Sequence, residues 1–264
     1  QELKLNFEQS SEVTAEAGLD GIDCTVRRGG EILPERASDD MPLYAETLSR
    51  HKVSMRLLTT DILDVKSPHA ETILRTGKKM GIQFYRIGYW QHQPGTPANT
   101  LVEKIKSQLK DLAAMNKEIG VCAIFQNHST GKNKAKPYAG GDLNEMYEIM
   151  KDFDPQQVGV AFDLGHAIIT HGDEWSSHFE RLKPHIKVAY IKDVKRVEGF
   201  VPFGQGEFGQ TDYFKRLRQM NYSAPFSLHI EFDWAGKENT KTREALVKTL
   251  SESRQVLQKW WMAV

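Results

Sequence analysis

Residues 158–167 read Val-Gly-Val-Ala-Phe-Asp-Leu-Gly-His-Ala. The first five are apolar at successive positions, which is typical of a parallel strand covered on both faces. This strand ends at Asp163, and an imidazole, His166, follows three residues after the acid. In α/β proteins, the carboxyl ends of parallel strands are where the chemistry is placed. We therefore expect a functional site at this point of the chain.

Similar short apolar or β-branched runs recur along the chain and mostly alternate with amphipathic, helix-like segments. We predict strands over residues 3–7, 20–26, 52–60, 82–90, 121–125, 158–162, 186–192 and 226–231. Their spacing of about thirty residues is the size of a βα unit, and alternation of this kind favours a parallel sheet. Eight units in 264 residues, with no evident linker, predict a single (β/α)8 TIM barrel over residues 1–264.

Composition excludes several classes of partner. The 35 basic residues balance the 35 acidic ones, so the chain has no overall field that would attract nucleic acid or an anionic membrane. No apolar run is long enough to span a bilayer. We expect neither nucleic acid nor membrane as a partner, and homo-oligomer formation stays open. Gln1 stands where a tag or a signal peptide has been removed, and the second alternative predicts an exported, periplasmic protein.

Polar residues end five consecutive predicted strands, and in a barrel all of these ends face one mouth. In chain order they are Arg86, Tyr89, Trp90 and His92; Gln126 and His128; Asp163 and His166; Tyr190, Lys192 and Asp193; His229, Glu231, Asp233 and Trp234. For any one of these residues, a structural role is an equally good explanation, in which its side chain is hydrogen-bonded to loop backbone or to another residue of the set. A structural core does not need the whole set, which therefore indicates a small-molecule site.

Two carboxylates and nearby imidazoles are the ligands that a divalent cation such as Mn, Zn, Mg or Co takes. Asp163 and Glu231 are the expected ligands, with His128 or His166 completing the shell. Such a cation would hold two sugar oxygens and polarise a carbonyl group. Glu231, His128 and Lys192 are then the candidate catalytic groups for proton transfer. The alternative for Lys192 is a salt bridge with Asp163 or Glu231.

A second set of residues is expected to contact the substrate. Aromatic side chains beside polar groups are typical of a pocket for a small molecule, here a sugar or sugar derivative. The candidates are Arg86, Trp90, Tyr190, His229 and Trp234.

Four stretches carry a resemblance to a known family: Phe162–Ala167, Tyr190–Asp193, Pro202–Glu207 and His229–Glu231. With them, the chain resembles the xylose isomerase-like TIM-barrel superfamily, the group of sugar phosphate isomerases and epimerases, over nearly its whole length. The resemblance implies one divalent metal held by Glu, Asp, His and Glu on four successive strands. It also implies that the two Glu residues act as an acid/base pair in isomerisation or epimerisation.

The chain departs from that family pattern at two of the four ligands. Asp163 and Glu231 match, but Gln126 stands in place of the first Glu and Tyr190 in place of His. A Gln can lend a neutral oxygen to a cation but cannot accept a proton, and a phenol with a pKa of about 10 is a poor ligand at neutral pH. The expected metal ligands are therefore Asp163, Glu231, His166 and Gln126, and the two-glutamate mechanism does not carry over whole.

Three functions remain open on the sequence. The first is a sugar isomerase or epimerase that uses a divalent metal with this altered ligand set. The second is a metal-assisted lyase or hydrolase acting on an oxidised glycoside, which needs only one base. The third is a non-catalytic carbohydrate-binding barrel.

Overall fold

The computed structural model describes residues 3–129, 137–234 and 241–264. Its strands are β1 (Gly21–Val26), β2 (Ser54–Thr60), β3 (Phe84–Arg86), β4 (Cys122–Gln126), β5 (Val158–Asp163), β6 (Ile186–Ile191), β7 (Val194–Lys195), β8 (Gly199–Phe200) and β9 (Phe226–Leu228). Strands β1 to β6 and then β9 pair in that order, all parallel, in one seven-stranded sheet. β7 and β8 form a separate antiparallel pair.

Helices alternate with the strands of this sheet. They are α1 (Phe7–Glu16), α2 (Ala37–Arg50), α3 (Ala70–Lys79), α4 (Ala98–Ile119), α5 (Leu143–Met150), α6 (Leu164–His171), α7 (Trp175–Leu182), α8 (Tyr213–Gln219) and α9 (Arg243–Met262). The sheet forms a nearly closed barrel with helices between its strands, which confirms the predicted TIM barrel. None of the helices in the described ranges combines the length and the apolar composition needed to cross a membrane.

The predicted first strand, residues 3–7, is wrong. Helix α1 begins at Phe7, because Asn6 and Gln9 form a reciprocal capping box. The Asn6 side chain accepts a bond from the Gln9 amide at 2.9 Å, and the Gln9 side chain accepts one from the Asn6 amide at 3.1 Å. Within the described residues the barrel sheet thus has seven strands instead of the predicted eight, and β1 and β9 stand at its two edges.

A helix that the sequence did not predict follows β5 at once. The Asp163 carboxylate accepts a hydrogen bond from the backbone amide of His166 at 3.2 Å and so caps α6. The apolar residues after Asp163 therefore coil directly above the strand. As a result, His166 lies in the first turn of a helix at the barrel mouth.

The barrel interior is divided into an apolar floor and a polar mouth. Residues two apart on a strand point the same way, so alternate residues of each strand face the barrel interior at successive levels. The floor is a buried cluster made of Leu57, Cys122, Ile124, Ala161, Val188 and Tyr190. Polar side chains at the strand ends lie above it, which puts the candidate chemistry at the carboxyl end of the sheet.

Candidate active site

Lys192 lies at the centre of the mouth, just past the end of β6, and is 1% exposed. Its Nζ lies 3.0 Å from Asp163 Oδ2, 2.5 Å from Glu231 Oε1 and 2.7 Å from His166 Nε2. An ammonium group has three N–H donors and no acceptor, so these three acceptors satisfy it fully. Because a buried charge is costly without such partners, the three side chains hold the ammonium in place.

Asp163 is the most firmly held of the three acceptors. It is fully buried, and its Oδ2 also accepts a hydrogen bond from Gln126 Nε2 at 2.9 Å. The Asn127 side chain clamps its backbone: Asn127 Nδ2 donates to the Asp163 carbonyl at 2.9 Å, and the Asp163 amide donates to Asn127 Oδ1 at 2.8 Å. The carboxylate therefore has a fixed position.

Gln126 directs its amino group, and not its oxygen, toward the centre. Its Nε2 donates to Asp163, while its Oε1 accepts a hydrogen bond from the Tyr89 hydroxyl. Both ends of the amide are therefore engaged. In this orientation Gln126 supports the Asp163 carboxylate and offers no oxygen to a cation.

His166 is a neutral acceptor. An ammonium can only donate, so Nε2 accepts from Lys192, and the ring proton lies on Nδ1, which is 2.8 Å from Ser129 Oγ. Burial, and then the positive charge of Lys192, hold the pKa of His166 well below its usual range.

His128 stacks against His166, with ring centroids 3.9 Å apart. Its Nδ1 lies 2.7 Å from the carbonyl oxygen of Ser129, which can only accept, so Nδ1 carries the proton and Nε2 is bare. Burial lowers the pKa of His128. Its side chain lines the cavity, so a neutral imidazole with an unprotonated Nε2 borders the mouth.

His229 is a second neutral imidazole in the cavity wall. Burial, followed by the charge of Lys192, lowers its pKa to about 3. Its Nε2 lies 3.0 Å from Ser227 Oγ, and its ring lies 4.4 Å from that of Tyr190. His229 can thus offer hydrogen bonds to a ligand without carrying charge at neutral pH.

A carboxylate that sequence analysis missed, Asp23, lies on β1. It accepts hydrogen bonds from Thr59 at 2.9 Å, Tyr190 at 3.1 Å and Ser227 at 3.2 Å. Burial raises the pKa of Asp23. The alternation of Asp23 and Thr25 on an otherwise apolar strand was an available signal, since residues two apart share a face.

Two of the expected substrate contacts lie away from the cavity. Tyr190 is fully buried and bonded to Asp23, and Trp90 is 5% exposed, with its Nε1 bonded to Gln108 of α4 at 2.9 Å. Neither side chain is among the residues that line the cavity.

Trp234 also lies outside the cavity lining, with Lys241 Nζ 5.5 Å from its ring centre. One aromatic ring beside the centre is Phe200, which lies 5.3 Å from Lys192 Nζ and 5.0 Å from the His166 ring. Phe200 belongs to the β7–β8 pair, an element that the sequence did not predict.

A cavity of about 1340 Å³ opens at the mouth and extends between β1 and β9. At the mouth it is lined by Arg86, Tyr89, Gln126, His128, His229 and Glu231. The Arg86 guanidinium lies 4.7 Å from the Tyr89 ring centre and gives this wall a positive charge. The Glu231 side chain is 35% exposed, and its Oε2 has no hydrogen-bond partner among the described residues. Glu231 is therefore the carboxylate of the centre that a ligand can reach.

The arrangement does not fit a divalent metal held by Asp163, Glu231, His166 and Gln126. The Lys192 ammonium lies where the two carboxylates and the imidazole converge, and Gln126 turns its amino group inward. In the parts of the chain that the structure describes, no three His, Cys, Asp or Glu side chains form a group that could hold a metal ion. The expected ligand set is thus replaced by a lysine-centred cluster.

Comparison with known proteins gives one family and many structural relatives. A model described as xylose isomerase-like TIM barrel matches residues 12–252. No curated protein matches the chain. Its fold is similar to that of D-psicose 3-epimerase with D-tagatose from Clostridium cellulolyticum H10, at 12% identity and a TM-score of 0.73, covering 98% of this chain and 94% of that one.

Two further solved structures show the range of the fold. The first is the apo form of 3-keto-D-glucoside 4-epimerase from E. coli, at 13% identity and a TM-score of 0.68, covering 96% of this chain and 95% of that one. The second is a xylose isomerase-like TIM-barrel protein from Mycobacterium smegmatis in complex with magnesium, at 16% identity and a TM-score of 0.65, covering 97% and 89%. At these identities the likeness concerns the fold.

Proposed function

Because the chain belongs to the xylose isomerase-like TIM-barrel family, we propose that it is an enzyme that modifies a sugar or sugar derivative. The proposed reaction moves a proton at a carbon next to a carbonyl group. The proposed site is the cavity at the barrel mouth, where several neutral and charged hydrogen-bonding groups surround one accessible carboxylate.

Glu231 carries this proposal. Its side chain is 35% exposed, whereas that of Asp163 is fully buried, and only Glu231 presents an oxygen without a hydrogen-bond partner in the described residues. A general base must come within hydrogen-bond reach of the proton that it removes. Glu231 satisfies this requirement for a ligand in the cavity, so we assign it the role of base.

The reaction that best suits a single carboxylate is isomerisation. Gln126 cannot accept a proton, so the two-glutamate pair of the family is not present. One base can remove a proton from one carbon and return it to the neighbouring carbon on the same face. Epimerisation needs a second group on the opposite face, for which the bare Nε2 of His128 is the candidate.

Elimination from an oxidised glycoside is the second candidate function. It also begins with removal of a proton next to a carbonyl group, and it needs no second carboxylate. The same observation, one reachable carboxylate opposite a glutamine, favours it.

Keto-sugars are the substrate class that we propose. The structures with a similar fold include a D-psicose 3-epimerase with D-tagatose and a 3-keto-D-glucoside 4-epimerase. Each of these enzymes is named for a keto-sugar. Arg86 and His229 line the cavity and offer hydrogen bonds to sugar oxygens.

Solvent-hydrogen exchange tests the proposed function directly. The protein is incubated in D2O with D-psicose, D-tagatose or a 3-keto-D-glucoside, and deuterium incorporation and products are followed by NMR. We expect exchange with at least one of these sugars. Glu231→Gln should lower the exchange rate by about 10²-fold or more, since positioned proton transfer contributes that much.

The matched control is Glu103→Gln, because Glu103 is an exposed residue of α4 that does not line the cavity. It should leave exchange unchanged. A protein that binds these sugars but exchanges no hydrogen would instead be a carbohydrate-binding barrel, and the proposal would be wrong.

A further inference from the structure

We propose that the ammonium group of Lys192 serves as the permanent cation of this site and takes the position of a divalent metal. The inference rests on the proposed function, because it names the group that polarises the carbonyl in the same cavity. It also makes a statement about metal binding that can be tested without any sugar.

The first argument is the chemistry of the atoms that surround Lys192 Nζ. Two carboxylate oxygens and one imidazole nitrogen lie within 3.0 Å of it, from Asp163, Glu231 and His166. These are the ligand types that a divalent cation takes from a protein. Here all three point at an ammonium group, whose three donors match three acceptors.

The second argument is electrostatic. A divalent cation bound by the same three atoms would lie a few ångströms from Lys192 Nζ, which is 1% exposed. Two positive charges at such a distance in a low-dielectric environment repel strongly. The ammonium and a metal therefore compete for one place.

The third argument concerns the two residues that depart from the family pattern. An ammonium carries one charge fewer than a divalent metal, so it needs fewer anionic partners. Gln126 is neutral and donates to Asp163, and the Tyr190 hydroxyl turns to Asp23, away from the centre. The departure at Gln126 removes one negative charge, as a singly charged cation needs, and the departure at Tyr190 removes an imidazole that a metal would use as a ligand.

Displacement of Glu231 would open the cluster to a substrate. Asp163 and His166 are buried, with 0% and 1% exposed side chains, whereas Glu231 is 35% exposed. A substrate carbonyl oxygen that replaces Glu231 Oε1 would receive one N–H of Lys192. The freed Glu231 would then lie beside the substrate as its base.

The bonds and charges balance in this step. The C–H bond next to the carbonyl breaks, and its proton goes to Glu231. The electron pair moves onto the carbonyl oxygen, which the Lys192 ammonium stabilises as an enolate. For isomerisation, the proton returns to the former carbonyl carbon while the hydroxyl proton of the deprotonated carbon passes to the enolate oxygen, so no oxidant or reductant is needed. Lys192 stays protonated throughout, which distinguishes this role from Schiff-base formation.

Metal titration of the chelator-treated protein, followed by calorimetry with Mn²⁺ or Zn²⁺ and no sugar, tests the inference. We expect no binding at this site in the wild type. Lys192→Ala leaves two carboxylates and one imidazole without their cation, and we expect this variant to bind one of the two metals in equimolar amount. Asp163→Asn added to Lys192→Ala should abolish the gain.

Lys192→Met keeps the volume of the side chain and serves if Lys192→Ala does not fold, as judged by circular dichroism. Equimolar metal binding by the wild type that Asp163→Asn removes would overturn the inference. Folded variants that gain no metal would overturn it as well, and if neither variant folds, the wild-type titration decides. Since no sugar is present, failure here is distinct from failure of hydrogen exchange.

Discussion

At the scale of single residues, the centre is defined by side chains that orient one another. His166 accepts from Lys192 only while its ring proton lies on Nδ1, and Ser129 is the group that engages that proton. Ser129 is 5% exposed and directly follows His128 in sequence. Ser129 is therefore a positioning residue, and its substitution should disturb the hydrogen bond between His166 and Lys192.

Ser129→Ala tests this orientation. The substitution leaves the buried Nδ1 of His166 without a partner, which we expect to lower the free energy of unfolding by about 1–3 kcal/mol. Urea denaturation measures it. Ser49→Ala, at an exposed position of α2, is the matched control and should change stability by less than about 0.5 kcal/mol. Equal effects of the two variants would contradict the assigned role.

The sequence predicted the members of the centre better than their orientation. Asp163, Glu231, Lys192 and His166 do meet, because strand ends in a parallel barrel converge. The direction of the Gln126 amide could not be predicted, since it depends on a contact with Tyr89, which lies beyond the end of β3.

At the scale of elements, the loop after Lys192 is fixed by one carboxylate. Asp193 Oδ1 accepts from the amides of Val194 at 2.9 Å and Phe208 at 3.2 Å, and Oδ2 accepts from Gly204 at 2.8 Å and Gly206 at 3.0 Å. A Cβ at Gly206 would lie 2.2 Å from Asp193 Oδ1, so only glycine permits this approach. The residue next to Lys192 is thereby anchored.

Asp193→Asn should loosen this loop. Its amino group would face two backbone N–H groups that now donate to a carboxylate oxygen, so two backbone donors lose their acceptor. We expect a loss of about 2–4 kcal/mol in the free energy of unfolding, measured in urea. Asp111→Asn, on the exposed face of α4, should be close to neutral. A neutral Asp193→Asn would show that the four bonds do not hold the loop.

Element types were predictable where periodicity was strong, as in α4 and β5. The errors came from local contacts that override it. Residues 3–7 alternate like a strand, but the capping box of Asn6 and Gln9 starts a helix there. Residues 164–171 lack an amphipathic pattern because α6 is largely buried. The only sequence signal for this helix is its capping residue, Asp163.

At the scale of the whole molecule, buried neutral histidines link stability to pH. His178 is 6% exposed, and its Nδ1 has no hydrogen-bond partner within the described part of the chain. Burial, and then the neighbouring His171, lower the pKa of His178. As the pH falls through about 6.5, this histidine therefore takes up a proton in the unfolded chain, whereas it stays neutral in the folded protein. The contribution of His178 to the free energy of unfolding is therefore fully present above a pH of about 6.5 and decreases below it.

His178→Phe should reduce this dependence. The free energy of unfolding of the wild type is expected to fall as the pH drops from about 7 to 5, and one such histidine contributes up to about 1.4 kcal/mol per pH unit. The variant should show a shallower slope in urea unfolding, whatever its absolute stability. His69→Asn, at an exposed site, should keep the wild-type slope. Identical slopes for wild type and His178→Phe would contradict the account.

The barrel fold could be predicted from the alternation of apolar and amphipathic segments, whereas the seven strands of its sheet in the described residues could not. The identity of the central cation also lies beyond sequence patterns. Carboxylates and imidazoles at strand ends suit a metal or an ammonium equally well, and only the position of Lys192 Nζ among them decides between the two.

Hydrogen exchange in a chelator tests the central claim most directly. The protein, stripped of metal and kept in EDTA, is incubated in D2O with the keto-sugar on which it is active. The account predicts unchanged deuterium incorporation in EDTA, and its loss in Lys192→Met and Glu231→Gln. Exchange that stops in EDTA and returns on addition of Mn²⁺, Zn²⁺ or Mg²⁺ would contradict it.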